Sequence, residues 1–373
     1  MLAIKKKVQK FFKSIGYFLF KLLYGKIENI FNLNAKDGVK INSVKINNNF
    51  LYKLYKIKEA RLYTDRVNDT AIIKNNEIIE GPSFQFRTNN NQLINDNIKN
   101  NLVFLNGTPR FKKKIYGSVL SLLTGGGGNE NYWHWIFDVL PRLGICEKII
   151  NIESIDFFLL PDNKKKFQIE TLDILNIPKI KQISSVEYRH IQTDNLFITS
   201  HPVVLSNNAT KDIQNIPDWI PEWLKIKFLK NKDVNDKNFS KMIYLDRSDS
   251  KSNVKHLRSV VNEEEVKNYL KRRGFQMIKL EELNFIDQVL IFNNADVIVG
   301  LHGAGFANLS FCKSKTKVVE FKANPLDKVI EGLALKNDLK HTPINCSVNE
   351  IKKDDQFGHV KVPLEKLDKI LTS

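Results

Sequence analysis

The chain has 373 residues, a formal net charge of +17 and 42% apolar residues, enough for about two domains with sizeable cores. Its 17 glycines and 11 prolines exclude a collagen-like chain, and its three cysteines exclude a disulfide framework and fit a reducing compartment. The excess of Lys and Arg over Asp and Glu points to a polyanionic partner, although the abundance of Lys, Asn and Ile also fits a genome rich in A and T.

Residues 1–32 predict a basic amphipathic helix, because apolar residues recur at the spacing of one helix face and lysines take most of the other. Lysines interrupt the apolar stretch, so it is too short to span a bilayer, and no signal-peptide cleavage site is evident. Two interpretations remain open: the helix lies on an anionic inner leaflet, or it packs its apolar face onto the following domain. The apolar residues are Val8, Phe11, Phe12, Ile15, Phe18, Leu19, Leu22 and Leu23.

Residues 33–229 predict an α/β domain with a β-rich start, because strand-like and helix-like segments alternate after about residue 118. Within the β-rich start, we expect the Asn-rich stretch 89–101 to be an exposed loop. The later segments are a buried strand IDFFLL (155–160), a helix FQIETLDILNI (167–177) and two short strands, VEYRHI (186–191) and NLFITS (195–200).

A polar stretch, 230–240, predicts a linker, and residues 241–345 predict a Rossmann-like domain with a parallel sheet. Residues 346–373 predict a C-terminal tail or helix. The predicted strands are KMIYLDR (241–247), FQMIKL (275–280), DVIVGL (296–301) and KVVEF (317–321), and the predicted helices are 262–274 and 285–295.

The sharpest motif is a glycine-rich turn, His302 to Gly305, between the strand DVIVGL and a predicted helix start at about Phe306. Small residues let the backbone approach a phosphate, and a helix N-terminus offers free N–H groups. Glu320 ends the next strand, where an acid can accept the hydroxyls of a ribose. The motif departs from the dinucleotide fingerprint because Asn308 replaces the third small residue. The alternative is a purely structural turn.

Two arginines, Arg247 and Arg258, fall near the end of the strand KMIYLDR and just before the helix 262–274. Guanidinium groups bind oxyanions in pairs, so the two arginines suit a diphosphate. The alternative is ordinary ion pairing at the surface.

The third motif is NYWHWIFDVLPRL, in which His134 and Asp138 are four residues apart and share one helix face. An imidazole beside a carboxylate can take a proton from a hydroxyl, and the glycine run Gly125–Gly128 before it would allow movement. The alternative is a buried pair that fixes packing. The cysteines lack metal-ligand spacing and the C-terminal sheet lacks an Asp-x-Asp pair, so we expect no metal.

Together, these motifs resemble glycosyltransferase family 61, the DUF563-type capsular polysaccharide biosynthesis proteins, over roughly residues 55–345. The resemblance implies a GT-B fold, with two Rossmann-like domains and the active site in the cleft between them. It also implies an inverting transferase that uses a nucleotide-sugar donor and needs neither a metal nor another cofactor.

The resemblance also implies roles for particular residues. Asp138 is favoured as the base for the acceptor hydroxyl, with His134 close behind it. The residues matched to the donor are Arg247, Arg258, His302, Gly303, Ala304 and Gly305 at the diphosphate, Asn308 shaping the turn, and Glu320 at the ribose.

The expected protein is therefore a bacterial glycosyltransferase of capsule or surface polysaccharide assembly, cytoplasmic and peripheral at the inner face of the membrane. Its acceptor would be a glycan or a lipid-linked glycan. One alternative is a non-catalytic scaffold that binds glycans or nucleotides in an assembly complex. A nucleic-acid-binding protein is a weaker alternative, because the lysines are spread along the chain and no nucleic-acid motif occurs.

Overall fold

The computed structural model describes residues 2–33, 38–47, 49–123, 130–230, 239–248, 258–350 and 359–372. The chain divides into two compact units, Met1–Asp212 and Ile213–Ser373. Sheets and helices are mixed in both units, which confirms the α/β prediction. The division lies upstream of the predicted linker 230–240, of which 231–238 fall outside the described residues. None of the described helices has the length and apolarity needed to cross a membrane.

The N-terminal unit is built on a mixed sheet. Its first part is antiparallel and is centred on the long strand Phe50–Thr64. The strand His190–Thr199 pairs antiparallel with that strand and parallel with Lys113–Ser121, and so joins the antiparallel part to a parallel part. The strands are Asn29–Ile30, Val39–Ile46, Phe50–Thr64, Asp69–Lys74, Glu77–Ile78, Phe84–Asn89, Gln92–Asn95, Lys113–Ser121, Phe157–Leu160, Gln182–Ser184 and His190–Thr199.

Helices cover this sheet, and apolar side chains from β-branched and aromatic residues fill the core beneath them. The helical segments are Leu2–Tyr24, Ile98–Asn100, Leu102–Asn106, Tyr132–His134, Trp135–Val139, Pro141–Glu147, Ile152–Ser154, Lys166–Ile174, Lys179–Lys181 and Ala209–Asp212.

Two expectations for this unit were wrong. The stretch 89–101 is not an exposed loop, because Asn90 and Asn91 adopt positive φ and turn the chain into a hairpin strand, Gln92–Asn95. The two short strands expected at 186–191 and 195–200 form one strand, His190–Thr199, because pairing with the long strand Phe50–Thr64 continues through the polar residues between them.

The N-terminal helix Leu2–Tyr24 packs on its unit through its aromatic side. Tyr24 stacks on Phe20 and meets the His190 ring edge-on at 5.0 Å. All eight apolar residues that define the predicted face point away, between 39% and 69% exposed. The interpretation in which this face packs onto the domain is therefore wrong, since the half-buried residues Tyr17, Phe20 and Tyr24 lie on the other side of the helix.

The C-terminal unit has a five-stranded parallel sheet whose strands, numbered along the chain, lie in the order 2-1-3-4-5. Continuous apolar runs form the inner strands, as expected for a sheet covered on both faces. The first and third strands lie side by side, so the chain reverses its winding direction between them. In chain order the strands are Met242–Leu245, Gln276–Ile278, Val297–Leu301, Lys317–Lys322 and Lys340–Asn345, followed by a hairpin of Ser347–Glu350 and His359–Lys361.

Helix termini in this unit follow their sequence signals. The helix Glu263–Arg272 has three acids in its first turn and two bases in its last, as the helix dipole favours. Cys312 and Cys346 are buried here, as Cys146 is in the N-terminal unit. The helical segments are Trp219–Leu229, Glu263–Arg272, Leu280–Glu282, Phe285–Asn294, Ala304–Phe311, Val329–Lys336 and Leu364–Thr372.

Residue 332 provides a test of how the start of this unit packs. A Cβ atom on Gly332 would collide with the backbone carbonyl of Gln214. We expect Gly332→Ala to destabilise the unit by about 1–3 kcal/mol, because backbone cannot yield as a side chain does. Denaturant unfolding followed by tryptophan fluorescence measures this. Gly16→Ala is the control, since nothing lies within 4 Å of its added methyl; equal stability of the two variants would contradict the packing.

Candidate functional site

The motif NYWHWIFDVLPRL forms a helix with one widened turn. Asn131 caps its start by accepting a hydrogen bond from the N–H of Trp133. The Leu140 N–H donates to the Trp135 carbonyl five residues back, at 3.0 Å, so Trp135–Val139 is a π-helical turn. Such turns inside helices occur frequently at functional sites. The glycine run Gly125–Gly128 lies outside the described residues.

His134 and Asp138 are paired across this turn, as the spacing predicted. The Nδ1 atom of His134 lies 2.5 Å from Oδ2 of Asp138. The His134 side chain is 24% exposed and that of Asp138 only 5%, so the imidazole is the outward member of the pair. With Nδ1 engaged by the carboxylate, Nε2 is the ring atom that remains for a substrate.

Two further residues enclose Asp138 from the inside. Arg142 is fully buried; its Nε donates to the Asp138 carbonyl at 2.8 Å and its Nη1 to Thr199 Oγ1 at 3.1 Å. His201 accepts the N–H of Val204 on its Nδ1 at 2.9 Å, and burial lowers its pKa to about 3, so it is neutral near pH 7. Neither residue was predicted from the sequence.

The charges of this cluster favour an ion pair. Burial alone would lower the pKa of His134, but the adjacent Asp138 carboxylate outweighs it, and the pKa lies above its ordinary value of 6.5. Burial alone would raise the pKa of Asp138, but His134, His201 and Arg142 outweigh it and hold the pKa below its ordinary value. Asp138 is therefore the anion of the pair, and its charge favours the protonated form of His134.

The second group of predicted residues lies at the carboxyl ends of the first and third strands of the C-terminal sheet. Arg247 follows the first strand, His302 follows the third, and Nη1 of Arg247 donates to the His302 carbonyl at 3.0 Å. This is the point where the winding of the sheet reverses, the position at which open α/β sheets bind ligands.

The glycine-rich turn accommodates this arginine. A Cβ atom on Gly303 would collide with the Arg247 guanidinium, and one on Gly305 would lie 2.6 Å from Leu280 Cδ1. Ala304 starts a 3₁₀ helix, Ala304–Phe311, where an ordinary helix start was expected at about residue 306. Asn308 is fully buried in this helix and donates to Gln288 Oε1 at 3.2 Å, which anchors the turn to the neighbouring helix.

Glu320 lies beneath the turn, 1% exposed, with each carboxylate oxygen on a histidine. Oε1 contacts His302 Nδ1, and Oε2 lies 2.8 Å from His341 Nε2. Burial would raise the pKa of Glu320, yet the two histidines lower it to about 2. Glu320 therefore carries a permanent negative charge that orients the His302 ring.

Asp327 and Arg258 complete this cluster. The Asp327 carboxylate lies 3.3 Å from Nε2 of His302, on the ring nitrogen opposite Glu320. Burial lowers the pKa of Arg258, and the like charge of Arg247 lowers it further, while Asp327 and Glu320 act in the opposite direction. Two arginines, a histidine and two carboxylates thus share one electrostatic environment.

The structure brings together the predicted residues within each unit: His134 with Asp138, and Arg247 with Arg258, His302 and Glu320. Two residues that contact His302 and Glu320, namely Asp327 and His341, were not predicted, although their positions in the sequence gave some indication of a site. Asp327 follows the strand Lys317–Lys322 at its carboxyl end, where ligands of parallel sheets bind. The indication for His341 was weak, because its strand contains Pro343 and lacks the apolar run that identifies a strand in the sequence.

Among the residues that the structure describes, no group of three or more His, Cys, Asp or Glu side chains is arranged to hold a metal ion. The arginines Arg247 and Arg258 supply positive charge at the turn.

The chain matches a known protein family. The family model described as Glycosyltransferase 61 matches residues 132–319, just over half of the chain. The match begins two residues before His134 and ends one residue before Glu320, so it includes every other predicted site residue. No curated protein matches the chain. The matched range identifies the chain as a member of the glycosyltransferase 61 family, whose activity is glycosyl transfer.

Proposed function

We propose that the protein is an inverting, metal-independent glycosyltransferase that moves a sugar from a nucleotide-sugar donor to a glycan or lipid-linked acceptor. The observation that carries this proposal is the pairing of Arg247 with the His302 turn at the winding reversal of a parallel sheet. A GT-B arrangement, with the acceptor base on one unit and the donor site on the other, would use both clusters.

The donor diphosphate would bind at the turn of the C-terminal unit. Arg247 and Arg258 supply guanidinium donors, and His302 supplies a ring N–H held in place by Glu320. As the bond from the sugar C1 to the diphosphate oxygen breaks, the electron pair leaves with the diphosphate, and the two arginines and the ring N–H stabilise its growing charge. The ribose role predicted for Glu320 stays a prediction, because both of its oxygens contact histidines.

The acceptor hydroxyl would lose its proton to Nε2 of His134 while its oxygen forms the new bond to C1. We assign the base to His134 and not to Asp138, because the imidazole is the more exposed member and the carboxylate is enclosed. Asp138 then stabilises the imidazolium that forms, as an orienting carboxylate does in other acid–base pairs. The sequence analysis favoured Asp138 as the base, so this assignment reverses the order of the two residues.

The cellular setting of the proposal is bacterial surface polysaccharide assembly on the cytoplasmic face of the membrane. The exposed apolar face of the helix Leu2–Tyr24 supports it, because that helix carries six lysines and no acid. A peripheral enzyme at this surface would meet lipid-linked acceptors without diffusing through the bulk solution.

A thermal-shift panel of uridine, guanosine, adenosine and cytidine diphosphates and their sugars tests the proposed donor. A ligand at 100 times its Kd stabilises the native state by about 2.7 kcal/mol and raises the melting temperature. We expect a shift with one base, unchanged by EDTA. A shift that EDTA abolishes would contradict metal independence, and no shift with any nucleotide would contradict the donor site.

Asp327 competes with the donor in this proposal, because its carboxylate occupies the side of His302 that a phosphate would approach. We expect Asp327→Asn to tighten nucleoside diphosphate binding about fivefold, since it removes one repulsive charge from a partly exposed position. Calorimetric titration measures the Kd. Glu331→Gln is the matched control, as Glu331 pairs with Lys328 on a nearby helix; unchanged or weaker binding in Asp327→Asn would contradict the competition.

A further inference from the structure

A polar cavity of about 730 Å³ lies in the N-terminal unit, and none of the residues that border it has been assigned a role above. Three segments form its border, 80–85, 94–98 and 207–208. The second of these belongs to the Asn-rich stretch 89–101, which the proposed transfer reaction does not use. Pockets that bind small molecules usually measure about 300–1,000 Å³, so the cavity is large enough for a ligand.

Hydrogen bonds tie the walls of this polar cavity to one another. The N–H of Asn95 donates to the carbonyl of Asn207 at 2.9 Å. The Nδ2 atom of Asn208 donates to Oε1 of Gln92 at 2.6 Å, on the hairpin strand that also carries Asn95. Because these contacts hold the polar groups in place without a ligand, binding one would require little further ordering of the chain.

Gln85 borders the polar cavity and carries an unsatisfied acceptor. The residue is 3% exposed, and its Nε2 donates to Oδ1 of Asn95 at 3.1 Å and to the carbonyl of Asp96 at 2.5 Å. Its Oε1 is buried and accepts no hydrogen bond from the described residues. A buried acceptor without a donor is destabilising, and a ligand hydroxyl that enters from the cavity would supply the donor.

The groups around the polar cavity suit an uncharged ligand that is rich in hydroxyls. Among the described residues, neither Nδ2 of Asn97 nor the side chain of Asn207 forms a hydrogen bond, and Glu80 forms no salt bridge. Amides both donate and accept hydrogen bonds, as sugar hydroxyls do. Two carboxylates, Glu80 and Asp96, border the cavity, whereas no lysine or arginine of the described segments does. This local charge disfavours phosphates and acidic sugars, although the net charge of the chain is +17.

The polar cavity lies on the opposite face of one strand from the cluster around Asp138. In the strand Phe84–Asn89, the first and third residues are phenylalanines, and their ring centres lie 5.7 and 6.5 Å from that of His201. Gln85, between them, points to the other face, because side chains alternate along a strand. Since His201 belongs to the cluster that encloses Asp138, the cavity is distinct from the site of the proposed base.

We infer that the polar cavity binds an uncharged oligosaccharide and holds a part of the glycan that is remote from the hydroxyl receiving the sugar. The inference rests on the glycan acceptor of the proposed function, because glycosyl transfer brings glycans to the enzyme. The amides of Asn97 and Asn207 and the carboxylate of Glu80 would bind the hydroxyls. Two apolar residues, Ile94 and Ile98, supply surface for the C–H groups of a sugar ring.

Calorimetric titration of the full chain without nucleotide tests this inference. The probes are trisaccharides of glucose, galactose, mannose and N-acetylglucosamine, with trigalacturonic acid as the acidic probe. We expect at least one neutral trisaccharide to bind, and the acidic one to bind about tenfold more weakly, because its carboxylates meet those of the cavity. Glu80→Ala with Asn207→Ala should weaken neutral binding about tenfold, the usual effect of losing two hydrogen bonds. Both side chains are exposed, so the fold should tolerate their removal.

The matched control is Glu153→Ala with Asn268→Ala, which removes the same two side chains from exposed positions outside the polar cavity. Equal affinity of the two double variants would overturn the inference. Binding of trigalacturonic acid as tight as that of the neutral probes would also overturn it, and so would the absence of binding by every neutral trisaccharide.

His134→Ala separates this site from the proposed transfer site. The variant should bind trisaccharides as the unaltered protein does, because the polar cavity lies on the other face of the strand. Loss of trisaccharide binding in His134→Ala would overturn the inference, since the glycan would then occupy the position of the proposed base. Nucleotide titration in parallel reports on the donor: trisaccharide binding without any nucleotide binding would contradict the transferase and leave the saccharide site in place.

Discussion

His134→Ala is expected to lower kcat about 10²- to 10⁴-fold, the usual loss when a general base is removed. The reason is the outward position of the His134 ring, whose Nε2 is the proton acceptor in the proposed reaction. Asp138→Asn is expected to leave more activity, because the imidazole remains and only its orientation and the stabilisation of its charged form are lost. Initial rates with a saturating donor measure both variants.

The pH profile separates His134 from Asp138 as the base. Asp138 raises the pKa of His134, so the rate should increase with pH through a value above 6.5. Asp138→Asn removes the carboxylate that raises the pKa of His134, and burial, which lowers that pKa, remains. The pH range over which the rate rises should therefore move to lower pH. If Asp138 were the base, the limb would lie below pH 3.8, and His134→Ala would move it to higher pH, because burial then acts on the carboxyl without its main counterbalance.

A donor-binding control accompanies these substitutions. Nucleotide affinity should be the same in His134→Ala as in the unaltered protein, because His134 belongs to the N-terminal unit and the donor residues to the C-terminal unit. Full glycan synthesis by both variants would contradict the enzyme and favour the non-catalytic scaffold.

Arg247→Ala is expected to weaken nucleoside diphosphate binding about ten- to hundredfold, because a hydrogen bond to a charged group contributes about 1.5–3 kcal/mol. It should also lower kcat, since the same guanidinium stabilises the leaving diphosphate in the proposed reaction. Calorimetry and initial rates measure the two effects. The affinity and kcat of Arg247→Lys should lie between those of Arg247→Ala and the unaltered protein, because an ammonium keeps the charge but loses the planar pair of donors.

The matched control for this prediction is Arg272→Ala, an exposed arginine of the same unit whose Nε donates only to a backbone carbonyl of its own helix. Equal affinity of the two alanine variants would refute the diphosphate site. Gly303→Ala offers an independent check, because its methyl would displace the Arg247 guanidinium from the turn and should weaken binding in the same way.

The sequence was sufficient for those parts of the fold that local patterns specify. The inner strands of the C-terminal sheet are continuous apolar runs, and the helix Glu263–Arg272 carries its dipole signals, so both were predictable. The strand Lys340–Asn345 was not, since it is an edge strand with few apolar residues and a proline. Its backbone is specified by pairing with Lys317–Lys322, which no local pattern reveals.

The candidate site was also only partly predictable from local sequence patterns. The spacing of His134 and Asp138 predicted their pairing, because helix geometry fixes it. It did not reveal which of the two is exposed, since that depends on how Arg142, one helical turn further on, and His201, from a more distant part of the chain, pack around Asp138. Likewise, the position of Glu320 after a strand suggested a ligand, and only the tertiary structure placed a histidine on each of its oxygens.

The three buried cysteines have a practical consequence for studying the protein on membranes. Burial raises the pKa of Cys146, Cys312 and Cys346, so their thiols are neither accessible nor ionised at neutral pH. A maleimide dye should therefore leave the native protein unlabelled. A single cysteine introduced at Phe18 or Leu22, both exposed on the helix, would then carry the only fluorophore and would test directly whether this helix makes the proposed contact with lipid.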